Sequence, residues 1–382
     1  MNSSKWIYNP ALGAILLLLS VGLDRTLPAQ AGGHQQPVTA NTFDSPDSNP
    51  ATATFITFDV PGAATIVPYS INDGGTVTGD YTGGSTLAVH GFLRGPGGAL
   101  ITFDAPGAGT GLLQGTRPES INSGGTVTGS YVDANNVFHG FLRGLGGAFT
   151  SFDVPGAGTG FFQGTAPASI NSGGTVTGDY VDANGVYHGF LRGPGGDFIT
   201  FDVPGGDTFP HSINSSGTVT GYYGDANSVD HGFLRGAGGA FVSFDVPGSA
   251  FHGLFPESIN DGGTVTGYYT VANNVYSQGF LRGPGGALIT FDAPGAGTGP
   301  AQGTLSESIN SGGTVTGYYL DANNAYHGFL RGLGGAFTSI DVPGAGTGSF
   351  QGTVPESINS SGTVTGYYRD TNNMDHGFLR IP

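Results

Sequence analysis

The sequence predicts an all-β protein, a seven-bladed β-propeller whose blades are four-stranded and antiparallel. The first observation behind this prediction is a repeat. A segment of the type SINSGGTVTGSYVDANNVFHGFLR, clearest at residues 120–143, occurs seven times. The isoleucines of its SIN triplet are separated by 50, 49, 43, 46, 50 and 49 residues. Units of this length that hold four strands each are typical of propellers.

The second observation is that each period contains four short strand candidates. They are the SIN segment, TVTGYY with its β-branched and aromatic residues, HGFLR, and the AFTSFDVP type at residues 148–155. Gly pairs, DANN or DANG, and GPGG or GLGG separate them, and these sequences favour tight hairpin turns. Each unit is therefore predicted to be a meander, and the longer GAGTGFFQGTAP type of segment leads to the next unit.

The third observation is the phase of the repeat. The array opens with a lone fourth strand at residues 55–60 and ends with a third strand at residues 376–380. Pairing this N-terminal strand with the last three strands would close a ring without exposed sheet edges. A solenoid or a set of separate meanders is the alternative, and neither explains the phase.

The N-terminal residues predict export. Lys5, an apolar run at residues 11–23 and the small-x-small triplet at residues 29–31 give residues 1–31 the features of a signal peptide. The apolar run is short for a membrane span, and an uncleaved anchor is the alternative. Residues 32–54 are polar and predicted to be a disordered linker, and the propeller follows at residues 55–382. We expect a secreted, extracellular or periplasmic protein with no transmembrane segment after cleavage.

Composition limits the partners. The chain has no cysteine and a formal net charge of −16. Residues 1–31 hold one acid, Asp24, and two bases, Lys5 and Arg25, so the remaining chain carries about −17. Such a charge disfavours nucleic acid and anionic membranes, which bind basic surfaces, and permits cationic partners. The charge and the scarcity of free sheet edges favour a monomer.

The segment INDGGTVTGDY…HGFLRGPGGALITFDAPGA resembles the HAF-type extracellular repeats of bacterial secreted proteins. Those repeats pair an IN-x-x-G-x-V-x-G segment with an H-[AG]-F segment. The resemblance covers about residues 55–382, with Gly in place of the Ala of the family name and Arg where an aromatic residue often follows. It implies a propeller-like secreted protein and brings no activity or catalytic residues.

Two recurring patterns raise the question of a metal. Histidine opens the third strand in six units, and Gln278 takes its place in the fifth. Third strands of adjacent blades would lie about 10 Å apart or more, whereas zinc needs ligands at about 2 Å. We therefore interpret these histidines as bonding a neighbouring turn. Each DANN turn offers one carboxylate, and each Asp of FDVPG is expected to cap its own turn. No cofactor is predicted, with calcium at the DANN turns as the alternative.

The residue before each SIN triplet differs between units. If SIN is the innermost strand, these residues lie at a rim around the axis, where carboxylates would focus a negative field. Solvated surface charge is the alternative. The candidate binding residues at this rim are Tyr69, Glu119, His211, Glu257, Glu307 and Glu356, with Ala168 in the third unit.

The long connections between units form a second candidate surface. Loops on a rigid scaffold often carry binding residues, although apolar pairs there could instead plug the gaps between blades. The candidates are Phe161, Phe162, Phe209, Phe251 and Phe255.

Three functions are compatible with these features. The first is a non-catalytic binding module that uses one propeller face for a polysaccharide, an envelope component or a protein. The second is a structural or matrix repeat protein without a discrete site. The third is an extracellular glycan-active hydrolase or lyase on a propeller scaffold. The chain contains no GxSxG, no metal-ligand spacing and no phosphate loop, so we expect no enzymatic activity.

Overall fold

A computed structural model describes residues 53–83, 87–271 and 275–382. All of them belong to the unit formed by residues 41–382. The predicted signal peptide and all but the last two residues of the predicted linker lie outside the described residues. The described part is built from strands without any helix, which confirms the all-β prediction. It accordingly offers no helix with the length and apolarity that crossing a bilayer requires.

The strands form seven units of four, and the fourth strand of the last unit is the first strand of the chain. The N-terminal strand is β1 (Thr54–Phe58). The strands of units 1 to 7 follow in chain order: β2 Ala63–Ile71, β3 Val77–Gly83, β4 Ala88–Arg94, β5 Leu100–Phe103; β6 Gly115–Ile121, β7 Val127–Val132, β8 Phe138–Arg143, β9 Phe149–Phe152; β10 Gly164–Ile170, β11 Val176–Val181, β12 Tyr187–Arg192, β13 Phe198–Phe201; β14 Thr208–Ile213, β15 Val219–Gly224, β16 Asp230–Arg235, β17 Phe241–Phe244; β18 Ser249–Ile259, β19 Val265–Val271, β20 Ser277–Arg282, β21 Leu288–Phe291; β22 Gly303–Ile309, β23 Val315–Leu320, β24 Tyr326–Arg331, β25 Phe337–Ser339; β26 Gly352–Ile358, β27 Val364–Arg369, β28 Asp375–Ile381.

Consecutive strands of a unit pair antiparallel, as the turn residues predicted. Single parallel pairs such as Val89↔Gly115 join some neighbouring units. Units 1–3 thereby form one 12-stranded sheet, units 5–7 form another, and unit 4 is a separate four-stranded sheet. The N-terminal strand β1 pairs antiparallel with β28, from Thr54↔Ile381 to Phe58↔Gly377. This is the pairing that the phase of the repeat predicted.

The first strand of each unit differs from its prediction. It begins well before SIN, and in β6 the pairing register shifts between Pro118 and Ser120. Glu119 is therefore an extra residue without a partner in β7, which is a β-bulge. The same shift occurs before SIN in all seven units.

Two belts of hydrogen bonds connect the first strands in circular order. The Nδ2 atom of each SIN asparagine donates to the backbone oxygen of the next SIN asparagine at 3.0–3.2 Å, and Asn359 of unit 7 donates to Asn72 of unit 1. The hydroxyl of each SIN serine accepts from the isoleucine N–H of the following unit, and Ser357 accepts from Ile71. The last-to-first bonds use the same atoms as the others, so the first strands surround a common axis.

The core lies between neighbouring units. Seven apolar clusters are present in the described part, and the leucine of HGFLR in one unit packs into the cluster of the next, as Leu93 does beside Ile121 and Phe141. The phenylalanine of HGFLR is 0% exposed in every unit. A buried Phe removes a large apolar area from water, which explains why this residue never varies between the repeats.

Candidate functional site

The predicted rim residues occupy the seven bulge positions. A bulge interrupts the alternation of side chains along a strand and re-aims the extra residue. The residues at these positions are all half-buried. We call them the axial ring: Tyr69, Glu119, Ala168, His211, Glu257, Glu307 and Glu356.

Electrostatic interactions show that the ring side chains face one another. The charges of Glu257 and Glu119 act on Glu356, although each belongs to a unit two positions away. Such interactions weaken with distance, so side chains two units apart lie near one another. The ring also contains a direct contact, a hydrogen bond of 3.0 Å between His211 Nδ1 and Glu257 Oε2. The sequence-predicted rim residues are therefore brought together.

Glu119, Glu307 and Glu356 of the ring hold their protons more tightly than ordinary glutamates. Burial raises the pKa of Glu119 to about 8, and the charge of Asp80 adds to the shift. Burial together with Glu257 and Glu119 raises the pKa of Glu356 to about 8. Burial and the charges of Glu257 and Glu356 also raise the pKa of Glu307. Water still reaches the ring, because the Glu257 side chain is 20% exposed.

A second tier of variable residues lies beside the ring; among its members the sequence predicts only Phe209 and Phe255 as candidates, and it assigns them to loops. This tier consists of the residue after TVTG and the first-strand residue paired with it. In units 1–3 the tier is mainly polar and in units 4–7 mainly aromatic. The pairs are Val67↔Asp80, Arg117↔Ser130, Ala166↔Asp179, Phe209↔Tyr222, Phe255↔Tyr268, Leu305↔Tyr318 and Val354↔Tyr367.

The two tiers are in contact. The hydroxyl of Tyr69 donates to the carboxylate of Asp80, and burial raises the pKa of Asp80 to about 7. On the opposite arc His211 packs edge-on against Tyr222, with 5.4 Å between ring centroids. Variation at the position after TVTG was visible in the sequence, but nothing in a single strand's pattern placed this position beside the ring.

Only some of the predicted loop residues lie in loops. Phe209 and Phe255 lie in first strands, not in loops, and stack on Tyr222 and Tyr268 at centroid distances of 4.8 and 5.0 Å. Phe251 belongs to β18, and its side chain lies outside the described residues. In the connection between units 2 and 3, Phe161 is 68% exposed. Its neighbour Phe162 is half-buried and packs against Phe138 of unit 2, with 6.0 Å between the ring centroids.

One mouth of the axis opens into a pocket of about 310 Å³. The isoleucine and asparagine of SIN and the following residue line it in every unit. That following residue is aspartate in units 1 and 5, Asp73 and Asp261, and serine in the other five. The pocket is therefore lined by equivalent residues of every unit, and two units contribute a carboxylate.

The recurring histidines bond the aspartate of FDVPG. For example, His139 Nδ1 lies 2.9 Å from Asp153, and in the fifth unit Gln278 bonds Asp292 instead. The histidines thus bond a neighbouring turn, as predicted, while these aspartates were expected to cap their own turn. In the DANN turn Asp133 accepts the N–H groups of Asn135 and Val137, the pattern of a plain Asx turn.

No protein-family model matches the chain, and no curated protein matches it. Solved structures of similar fold include virginiamycin B lyase from Staphylococcus aureus, with a TM-score of 0.56 and 14% identity over 86% of this chain and 100% of that one. A puromycin hydrolase has a TM-score of 0.55 and 10% identity over 84% of this chain and 53% of that one. Prolyl endopeptidase has a TM-score of 0.55 and 11% identity over 84% and 50%.

Similarity at these identities concerns the fold alone. Together with the repeated units, it gives the described part of this chain the character of a β-propeller repeat protein. The chain spans about half the length of the hydrolase and the endopeptidase.

Proposed function

We propose that the seven units are the blades of one closed seven-bladed β-propeller, and that the protein is a secreted, non-catalytic binding module of the HAF-repeat type. The pairing of β1 with β28 and the two circular hydrogen-bond belts support the closure. The N-terminal sequence supports export. The ligand is a polysaccharide, an envelope component or a protein that contacts the axial ring.

One observation carries the binding function: two positions that differ between units, the bulge residue and the residue after TVTG, lie beside each other at the axis. SIN, TVTG and HGFLR change little because their side chains form the belts and the core. The ring instead holds carboxyl, imidazole and phenol groups in a half-buried place, where desolvation and like charges oppose ionisation. The repeat needs none of these groups for its own hydrogen bonding, so their presence is best explained by a ligand.

The test is a thermal melt of the full chain with a panel of soluble polysaccharides. A ligand that binds the folded state raises the midpoint by mass action. We expect a rise with one class of polysaccharide and its loss in a Glu257→Gln/Glu307→Gln/Glu356→Gln variant. Phe161→Ala is the control, because Phe161 lies in a connecting loop. A rise that survives in the ring variant but disappears in Phe161→Ala would place the site on the loops instead.

The His211–Glu257 contact favours a second candidate, a glycan-active hydrolase or lyase. Burial alone would lower the pKa of His211, but the charge and hydrogen bond of Glu257 raise it above its usual value. An imidazole oriented by a carboxylate can act as a general acid or base. Turnover of a polysaccharide by the wild type and its loss in His211→Ala would support this candidate, and no turnover across the panel would remove it.

A further inference from the structure

The connections among units 1–3 carry large apolar side chains that are exposed to water. Phe161, between units 2 and 3, is 68% exposed, and Leu112, at the equivalent position between units 1 and 2, is 62% exposed. These connections lead into the first strands, whereas the mouth pocket lies beyond the other end of those strands. Leu112 and Phe161 therefore belong to the face opposite the mouth pocket.

Both connections contact the same turn. The Nε2 atom of Gln114, two residues after Leu112, donates to Asn136 Oδ1 of the unit 2 DANN turn at 3.2 Å. The N–H group of Phe162, next to Phe161, donates to the backbone oxygen of Asn136 at 2.8 Å. Leu112 and Phe161 thus lie beside one turn, and a single partner can cover both. We call these two residues the apolar patch.

The backbone fixes how the apolar patch is presented. Leu113 and Phe162, each next to a patch residue, have φ angles of 64° and 56°, in the left-handed region that bulky residues rarely adopt. Such a conformation persists only where the surroundings determine it. The N–H group of Gly160 is also held by Gln163 Oε1 at 2.9 Å. Little ordering of the loop is then needed on binding, which favours affinity.

The fold does not require a large apolar residue at the patch positions. In the connection between units 6 and 7, Ser349 takes the position of Leu112 and Phe161. The next residue, Phe350, has a φ angle of 59°, and its N–H group donates to Asn324 O at 2.7 Å. The loop therefore keeps the same backbone with serine at this place. Exposed apolar clusters commonly mark interaction sites, and a partner explains the patch better than loop structure does.

The surroundings of the patch are acidic. Each of the two connections begins at an exposed aspartate, and the next turn along brings Asp182 against Ala157 of the second connection. The nearby bases are three histidines that bond these aspartates and Arg117, which is 5% exposed. Even with every histidine charged, five carboxylates face four bases, so a positively charged partner is favoured. The carboxylates are Asp104, Asp133, Asp153, Asp182 and Asp202, and the bases are His90, His139, His188 and Arg117.

We propose that Leu112 and Phe161 form the apolar centre of a docking surface for a basic protein segment, in which lysine or arginine residues flank exposed apolar side chains. The apolar side chains of the partner would cover the patch, and its cations would face the surrounding aspartates. Aromatic residues at the centre of an interface commonly carry much of the binding energy. This surface is separate from the axial ring, so the inference goes beyond the proposed axial function and does not depend on it.

The experiment is isothermal titration calorimetry of the full chain with a short amphipathic peptide made of leucine and lysine. Two further peptides are compared with it, one with serine in place of leucine and one with glutamate in place of lysine. We expect the leucine–lysine peptide to bind at least tenfold more tightly than either, because it alone supplies both apolar side chains and cations. Equal binding of the serine–lysine peptide would overturn the proposal, and so would failure of the leucine–lysine peptide to bind.

Matched variants locate the effect. Leu112→Ser/Phe161→Ser should weaken peptide binding at least tenfold and leave the melting temperature unchanged, because Ser349 is accommodated at the same place. Leu145→Ser is the control, since Leu145 is 80% exposed in the turn between β8 and β9, at the end of β8 away from the DANN turn. It should bind the peptide like the wild type. Peptide binding that is unaffected in the double variant would overturn the docking surface.

The two binding sites can be tested separately. The Glu257→Gln/Glu307→Gln/Glu356→Gln variant should bind the leucine–lysine peptide like the wild type, even if it no longer responds to a polysaccharide. Loss of the polysaccharide response in Leu112→Ser/Phe161→Ser, together with no peptide binding by the wild type, would make the apolar patch a glycan site and overturn the protein-docking proposal.

Discussion

At the scale of single residues, close packing leaves no room for a side chain at the glycine of HGFLR. A Cβ atom on Gly140 would lie 2.6 Å from the ring of Phe152. The ring of Phe152 also packs against Arg192 of the next unit, and the guanidinium carbon of Arg192 lies 4.9 Å from the ring centroid. The glycine is therefore needed because the fourth-strand phenylalanine covers the third strand.

This packing predicts that Gly140→Ala destabilises the protein by about 1–3 kcal/mol, the usual cost of overpacking a core. Gly146→Ala is the matched control, since a Cβ there has nothing within 4 Å, and it should shift the unfolding free energy by less than about 0.5 kcal/mol. Urea denaturation measures both. Equal midpoints for the two variants would contradict the argument.

The ring carboxyls predict a pH dependence of stability. Glu356 has a pKa of about 8 in the folded protein against about 4.3 in an unfolded chain. Between these values the folded state keeps a proton that the unfolded state releases, so stability falls as pH rises from about 4 to 8.

In Glu356→Gln this contribution is absent. We expect its melting temperature to fall less between pH 5 and pH 9 than that of the wild type, and to exceed the wild-type value at pH 9. Scanning calorimetry at the two pH values measures the difference. The same slope in both proteins would show that Glu356 is an ordinary solvated carboxylate.

At the scale of elements, the first strand performs two tasks. Its SIN end joins neighbouring units through the asparagine belt, and its bulge turns the preceding residue toward the axis. Asn359 of the belt also forms a hydrogen bond within its own turn, in which its Oδ1 atom accepts from the N–H group of Thr363. Two separate positions of one strand thus serve assembly and the site.

If the ring is closed, the bond from Asn359 to Asn72 is equivalent to the bonds within the array. Asn359→Ala and Asn214→Ala should then destabilise the protein equally, by about 1–3 kcal/mol, because each removes the partners of buried backbone groups. Asn214 is the matched comparison, since both turns read NSSG and both asparagines accept from the serine two residues later. Because Asn359 also accepts hydrogen bonds within its own turn, a clearly smaller cost for Asn359→Ala than for Asn214→Ala would mean that the ring is open in solution.

At the scale of the whole molecule, the N-terminal strand completes the last unit. Ile56 and Phe58 of this strand pack against the cluster that also holds Leu379 of unit 7 and Phe92 of unit 1. Removing the strand would expose one edge of β28 and uncover this cluster. Exposed edges and apolar clusters promote association between chains.

A chain that begins at residue 61 should therefore melt at least about 10 °C below the full chain, since several large apolar side chains lose their burial. It should also elute as oligomers in size-exclusion chromatography. A monomer with unchanged stability would show that β1 contributes nothing to closure.

Much of the fold could be predicted from the sequence, because the period, the turn residues and the phase all reflect strand pairing. The bulge could not be predicted, since alternation along a strand gives no sign of an extra residue. Phe209 and Phe255 were placed in loops because their units have the shorter steps of 43 and 46 residues, which obscure where the strand begins. Asp80 and Asp179 were missed because their nearness to the ring depends on how the units are arranged around the axis.

The pairing of the two chain ends also has a kinetic consequence. His376 and Asp59, which bond at 2.8 Å, are 317 residues apart in the chain. Contacts of such separation form slowly, because a long loop must close before they add stability. The β1–β28 seam therefore forms only after the last strand is available, whereas each meander can form from local contacts. Folding of this protein should end with one late, concerted step, and chains cut short before β28 should accumulate as partly assembled intermediates.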